Sequence, residues 1–278
     1  MTDAVLGSGS AAKADDAREV VYRHRLATRI WHWINALTIF VMLMSGMMIF
    51  NAHPRLYWGQ YGADDDHSWL EIGSNDERGF LRIGSLTIPT TGVLGYAQGQ
   101  DVAFPPLVTI PTSYDLAGAR SWHFFFAWLL VLPMLGYWLW SVATRHLQRD
   151  LAPEKDELRP SHLLRDIANH ARLRFPTGDA ARRYNVLQKL AYLSVLFGLL
   201  PLMVLTGLAM SPGMVAAWPW LLDIFGGRQS ARSIHFICAA GLAAFILVHL
   251  AMVLLAGPWN EVRSMLTGFY RLPGSARR

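Results

Sequence analysis

Four long apolar runs constrain this chain more than any other feature. They cover approximately Ile30–Phe50, Trp122–Ala143, Val186–Met210 and Ser233–Ala256, and Lys189 is the only Lys, Arg, Asp or Glu among them. A bilayer core needs roughly 20 apolar residues of helix to cross it. Inside lipid, a backbone must satisfy its own hydrogen bonds, so such runs become helices. The expected fold is therefore all-α and integral to a membrane: a four-helix transmembrane bundle. Pro133 and Pro201 fall inside spans two and three, where packed neighbours tolerate kinks. The chain is 53% hydrophobic, only 16% charged, and has a mean hydropathy of +0.24, which suits a membrane protein.

The connections set the orientation. Residues 51–118 hold three Arg (Arg55, Arg78 and Arg82) against eight acids, including Asp64, Asp65 and Asp66. Residues 144–185 hold nine Lys or Arg, and the tail from Gly257 holds four more. Basic residues favour the cytoplasmic side. Both termini and the loop 144–185 are therefore expected in the cytoplasm, and the long loop 51–121 on the outer face. That loop is rich in Gly, Pro and aromatics and too long for a turn. A small ordered cap is expected there, with short strands around Leu81–Ile88. A surface helix is expected around Ser161–Leu173. Residues 1–22 read as a cytoplasmic tail, 23–270 as the membrane domain and 271–278 as a second tail. Residues 1–19 lack the apolar core of a secretory signal. The net charge of +5 and a pI near 9.6 follow from these topological residues, so no nucleic-acid partner is expected.

Four histidines lie near the span ends: His32, His123, His235 and His249. Three share the pattern Arg-x-x-His, through Arg29, Arg120 and Arg232. Ionisable groups inside a bilayer are costly and mark function. Orientation places His123 and His235 near the outer face, and His32 and His249 toward the cytoplasm. Only one pairing then matches depths: His123 with His235, and His32 with His249. The fourteen residues between His235 and His249 advance a helix by roughly 21 Å and nearly four whole turns, so both fall on almost one face. Two imidazole pairs in apolar surroundings suit two haems, each held from both faces. Double His ligation leaves no open iron position and favours electron transfer over oxygen chemistry. Each Arg one turn nearer the surface reads equally as a haem-propionate partner or as an interfacial cation. His24, His53, His67, His146, His162 and His170 lie outside the spans and read as solvated. The lone Cys238 excludes an intramolecular disulfide, a Cys-ligated iron–sulfur cluster and covalent c-type haem. It reads as a small buried hydrophobe.

With their four His, spans one, two and four resemble the four-helix cytochrome b subunits of formate dehydrogenases, nickel–iron hydrogenases and thiosulfate reductases. Tyr184-Asn185-Val186-Leu187-Gln188-Lys189 resembles the Tyr-Asn-x-x-Gln-Lys of the formate dehydrogenase gamma subunit. Gly257-Pro258-Trp259-Asn260 through Ser264-Met265-Leu266-Thr267-Gly268 is similar to thiosulfate-reductase-type cytochromes. The resemblance covers roughly residues 20–270. It implies two b haems (iron) in a bacterial inner membrane, linking quinone to a periplasmic redox enzyme. It also implies a quinone pocket beside the cytoplasmic-side haem, which falls here on Asn185 and Gln188, with Lys189 available for proton exchange. Read from the residues alone, Asn185 and Gln188 serve equally as a helix cap. The loop 51–118 is longer than in the shorter family members, which fits either a periplasmic molybdenum enzyme or another electron carrier as the partner. Two other functions remain open: a self-contained oxidoreductase using the outer haem on a small diffusing substrate, and a haem-free membrane scaffold.

Overall fold

The structure is a computed structural model that describes residues 20–63, 65–172 and 185–272, without the side chains of 150, 170 and 171. The N-terminal tail read at 1–19 and the residues 273–278 lie outside it. Four helices are long and apolar enough to cross a membrane: Leu26–Asn51, Leu116–Ala143, Val186–Met210 and Arg228–Ala256. Spans one, two and four begin four to six residues before the apolar runs, because backbone hydrogen bonds carry a helix on into polar sequence. Asp115 caps span two by accepting from the Gly118 N–H at 2.9 Å. Gly257, at φ 109°, ends span four.

Span three carries a π-helical turn over Val195–Leu199, directly before Pro201. A proline ring clashes with the carbonyl four residues back. The wider turn absorbs that clash within a continuous helix. Leu130 and Met134, Leu200 and Met203, and Cys238 and Leu242 form the core between spans two, three and four. Cys238 is the buried small hydrophobe expected of it. The outward faces are apolar and bare: Leu139 is 73% exposed and Leu247 69%. In water such faces would be unfavourable, whereas lipid covers them.

The first connection folds into the expected cap at one end of the bundle. Strands β2 (Arg55–Leu56), β3 (Leu70–Asn75), β4 (Arg78–Ile83) and β5 (Leu86–Pro89) form an antiparallel sheet in that order. The predicted Leu81–Ile88 region is the β4–β5 hairpin, with Leu81 opposite Ile88. Strands β6 (Gly95–Ala97) and β7 (Gln100–Val102) form a second hairpin. Leu56, Leu70, Ile72 and Ala103 make a cap core with Phe50 of span one, and Phe236 of span four packs against it. The sheet is therefore seated on the bundle rather than tethered to it.

Both ends of the described chain meet at the opposite, terminal end of the bundle. Strand β1 (Val20–Tyr22) pairs antiparallel with β8 (Phe269–Arg271). The predicted surface helix also lies in the connection at this end and spans Pro160–Ala171. Lys189 is buried within span three and bonds both carboxylate oxygens of Glu157, at 2.8 and 3.0 Å. The connection is thus fastened to the bundle by a charged pair.

Candidate functional site

The four spans bring the predicted histidines together in the predicted pairs. The rings of His123 and His235 lie 6.2 Å apart, centre to centre, near the cap. Those of His32 and His249 lie 6.3 Å apart, toward the terminal end. Both pairs make an interplanar angle of 57°. An imidazole nitrogen binds a first-row metal ion at about 2 Å and lies about 1.1 Å from its ring centre, so two rings on opposite faces of one ion have centres about 6 Å apart. Each pair therefore has the separation of two axial ligands. Among the described residues, no three His, Cys, Asp or Glu side chains gather to hold a metal. Each pair thus offers two nitrogens only, a donor set that suits iron whose other four ligands come from a porphyrin.

Hydroxyls and glycines serve the cap-side rings. Ser45 Oγ lies 3.0 Å from His123 Nδ1, and Thr206 Oγ1 lies 2.9 Å from His235 Nδ1. Gly46 and Gly207 follow these residues. A Cβ on them would sit 3.5 Å from Cε1 of His123 and 3.7 Å from Cε1 of His235. Any longer side chain there would crowd the imidazole. Spans one and three thus each offer a hydroxyl–glycine pair to the histidine of the following span. Sequence reasoning missed Ser45 and Thr206. The repeated dipeptides Ser45-Gly46 and Thr206-Gly207, each on the span before a histidine, were the available signal.

The model of the prokaryotic cytochrome b561 family matches residues 23–268. The chain belongs to that family. This cytochrome b561 is accordingly a membrane haem b protein of electron transfer. It is 25% identical over 239 residues to a putative protein-methionine-sulfoxide reductase subunit, YedZ1, of Azospira oryzae, covering 86% of this chain and 93% of that protein. It is 21% identical over 280 residues to a probable Ni/Fe-hydrogenase B-type cytochrome subunit of Cupriavidus necator, covering 96% of this chain and 91% of that protein. No solved structure matches it significantly.

The three Arg of the Arg-x-x-His patterns have different surroundings. Arg232 donates to the backbone carbonyls of Arg55, at 2.8 Å, and of His53. It clamps the cap onto span four. Around it, Ser233 Oγ donates to the Tyr57 carbonyl at 2.6 Å and accepts from the Trp69 indole at 2.9 Å. The Gly59 N–H donates to Ser230 Oγ at 2.7 Å. Gly227, at φ 121°, permits this approach, since a Cβ there would lie 2.5 Å from the Gly59 carbonyl oxygen. Arg120 is exposed and lies over the Phe124 ring, 5.9 Å from its centre. At the terminal end, Arg29 Nε, Thr28 Oγ1 and His32 Nδ1 are buried without hydrogen-bond partners. Buried polar atoms normally have partners. Two of them, Arg29 Nε and Thr28 Oγ1, are donors of the kind that a carboxylate takes up.

Asn185 and Gln188 form a complete capping box. Asn185 Oδ1 accepts from the Gln188 N–H at 2.9 Å, and Gln188 Oε1 accepts from the Asn185 N–H at 3.2 Å. Their amide oxygens are committed to the backbone. Tyr184 of the same motif lies outside the described residues.

Two of the six remaining histidines are not solvated, contrary to expectation. His24 is 6% exposed and His146 7%. His24 sits at the junction of β1 and span one, where burial and the Arg23 charge lower its pKa to about 4. His146 packs against the rings of Trp140 and Tyr137, at 5.0 and 6.3 Å. The chain before β8 covers His24, whose N–H meets the Gly268 carbonyl oxygen at 3.3 Å, whereas His146 folds back onto the rings of its own span. His67 is exposed, His53 and His162 are half-buried, and the side chain of His170 lies outside the description.

Proposed function

We propose that this cytochrome holds two b haems and carries electrons across a bacterial inner membrane between quinone and a redox partner at the cap. His123 and His235 would hold the cap-side haem, and His32 and His249 the terminal-side haem. The observation that carries this reading is the pair of ring separations, 6.2 and 6.3 Å, stacked along one bundle. Haem iron, when bound, supplies one-electron exchange without an open coordination position. The chain's own part is to hold each ring, to exclude water with the apolar spans and to keep the two sites at fixed depths.

The basic residues of 144–185 and of the tails favour a cytoplasmic terminal end, which puts the cap in the periplasm. The cap's seat on span four, one turn from His235, suits docking of a periplasmic redox enzyme there. A molybdenum-type oxidoreductase is the class that the length of the loop favours. At the terminal end, the Gln188 amide NH2 is a donor for a quinone carbonyl, beside the start of span three. Arg29 would pair with a propionate of the terminal-side haem. Arg232, held by the cap, would play no such part, and Arg120 remains a candidate at the outer edge.

A pyridine haemochrome assay on pure protein tests the reading. It should show two non-covalent protohaems per chain; one, or none, would defeat it. Single Cys probes at Ser68 and Ser161, in a Cys238→Ala background, should label from the outside and the inside respectively. The reverse pattern would exchange the quinone and partner ends.

A further inference from the structure

We propose that Ser45 and Thr206 are positioning residues that hold His123 and His235 with Nδ1 as the hydrogen-bond donor, and so lower the midpoint potential of the cap-side iron relative to the terminal-side iron. This rests on the two-haem reading above. A hydroxyl has one proton, and here backbone carbonyls lie within its reach. Ser45 Oγ lies 3.2 Å from the Met42 carbonyl oxygen. Thr206 Oγ1 lies 2.6 and 3.1 Å from the carbonyl oxygens of Leu202 and Met203. Carbonyls only accept, and with each hydroxyl proton given to the helix backbone a lone pair faces the imidazole. Nδ1 then brings the proton, and the neutral ring keeps its bare lone pair on Nε2 for iron.

Such a bond does more than choose the tautomer. An N–H that leans on an acceptor makes the opposite nitrogen a stronger donor to the metal. Stronger donation favours the oxidised iron in the one-electron couple, and no proton leaves Nδ1. Ser45 and Thr206 are both 0% exposed, so water does not compete for these bonds. At the terminal end, by contrast, His32 Nδ1 is buried with no hydrogen-bond partner. Electrons are therefore biased toward the terminal-side iron, from the partner end toward the quinone end.

Potentiometric titration of the full-length protein in detergent tests this, with the α-band resolving two couples. The cap-side couple is the one missing from His123→Ala. In Ser45→Ala and Thr206→Val that couple should shift positive while the other stays, and the double variant should shift further. Thr206→Ser should restore the starting value. Two retained haems with neither couple moved would overturn the proposal, as would a shift confined to the terminal-side couple. If Ser45→Ala or Thr206→Val loses the cap-side haem, Ser45→Thr and Thr206→Ser become decisive. Retention in those hydroxyl-bearing variants supports positioning, and loss in all four overturns it. A wild-type protein with a single unresolved couple would overturn the proposal, and one whose haemochrome yield falls below two haems per chain would instead refute the two-haem reading itself.

Discussion

The two histidine pairs have nearly the same ring geometry, yet their surroundings are opposite. At the cap end, polar groups are committed: Ser45 and Thr206 to imidazoles, Arg232 to two backbone carbonyls, Ser233 to Tyr57 and Trp69. At the terminal end, Arg29, Thr28 and His32 each bury a polar atom without a partner. The cap end thus spends its Arg-x-x-His arginine and its imidazole-facing hydroxyls within the protein. The terminal end leaves the Arg29 Nε and Thr28 Oγ1 donors unused. The same local pattern, Arg-x-x-His, thus acquires two meanings according to what folds over it.

The largest test of this contrast removes one ligand at a time. His123→Ala should lose chiefly the cap-side haem and His32→Ala chiefly the terminal-side haem, halving the haemochrome yield in each case. Loss of both from either variant would show that the pairs are not independent sites. Next comes the quinone donor. Gln188→Glu keeps the capping oxygen but removes the amide NH2. Reduction by a quinol analogue should slow about tenfold, the worth of one hydrogen bond, with both haems retained. Unchanged kinetics would move the quinone site away from span three.

The arginines give a more local effect. Arg232→Gln removes two charge-assisted bonds, each worth roughly 1.5–3 kcal/mol. Hydrogen exchange at Tyr57–Gly59 should rise while the terminal-side haem is unaffected. Arg29→Gln should do the reverse, weakening retention of the terminal-side haem and leaving the cap protected. Identical outcomes for the two variants would erase the contrast.

The mildest effect is a pH dependence confined to the terminal end. The folded pKa of His24 lies near 4, below the ordinary 6.5. Its neutral burial therefore stabilises fully above pH 6.5, and that contribution is lost as pH falls toward 4. Burial raises the Glu157 carboxyl, but the bond and charge of Lys189 outweigh this and hold it below its ordinary 4.5. The pair's contribution is present above pH 4.5 and declines only below it. Exchange at Tyr22 and Phe269 should therefore rise between pH 6.5 and 4, before the Lys189–Glu157 contact loosens. In His24→Gln the first step should disappear.

Much of this molecule was legible from the chain. Span number, depth order and the pairing of His32 with His249 and of His123 with His235 follow from apolar length and helical periodicity. Those are local properties, and the bilayer supplies the remaining constraint. The β4–β5 hairpin and the helix after Pro160 were legible for the same reason. Other features depend on what arrives from elsewhere in the sequence. Nothing near Arg232 says that the carbonyls of His53 and Arg55 will come to it. Nothing near His24 says that it will be buried. The capping role of Asn185 and Gln188 was one of two local readings, and only the folded backbone shows the box complete. The hydroxyls at Ser45 and Thr206 carry meaning only once spans one and two, and three and four, pack at one register. Sequence alone therefore determined that four helices would cross lipid with two histidine pairs stacked between them. Tertiary structure decided which polar groups the protein itself satisfies and which it leaves bare, because hydrogen bonds act over about 3 Å and only folding brings their partners that close.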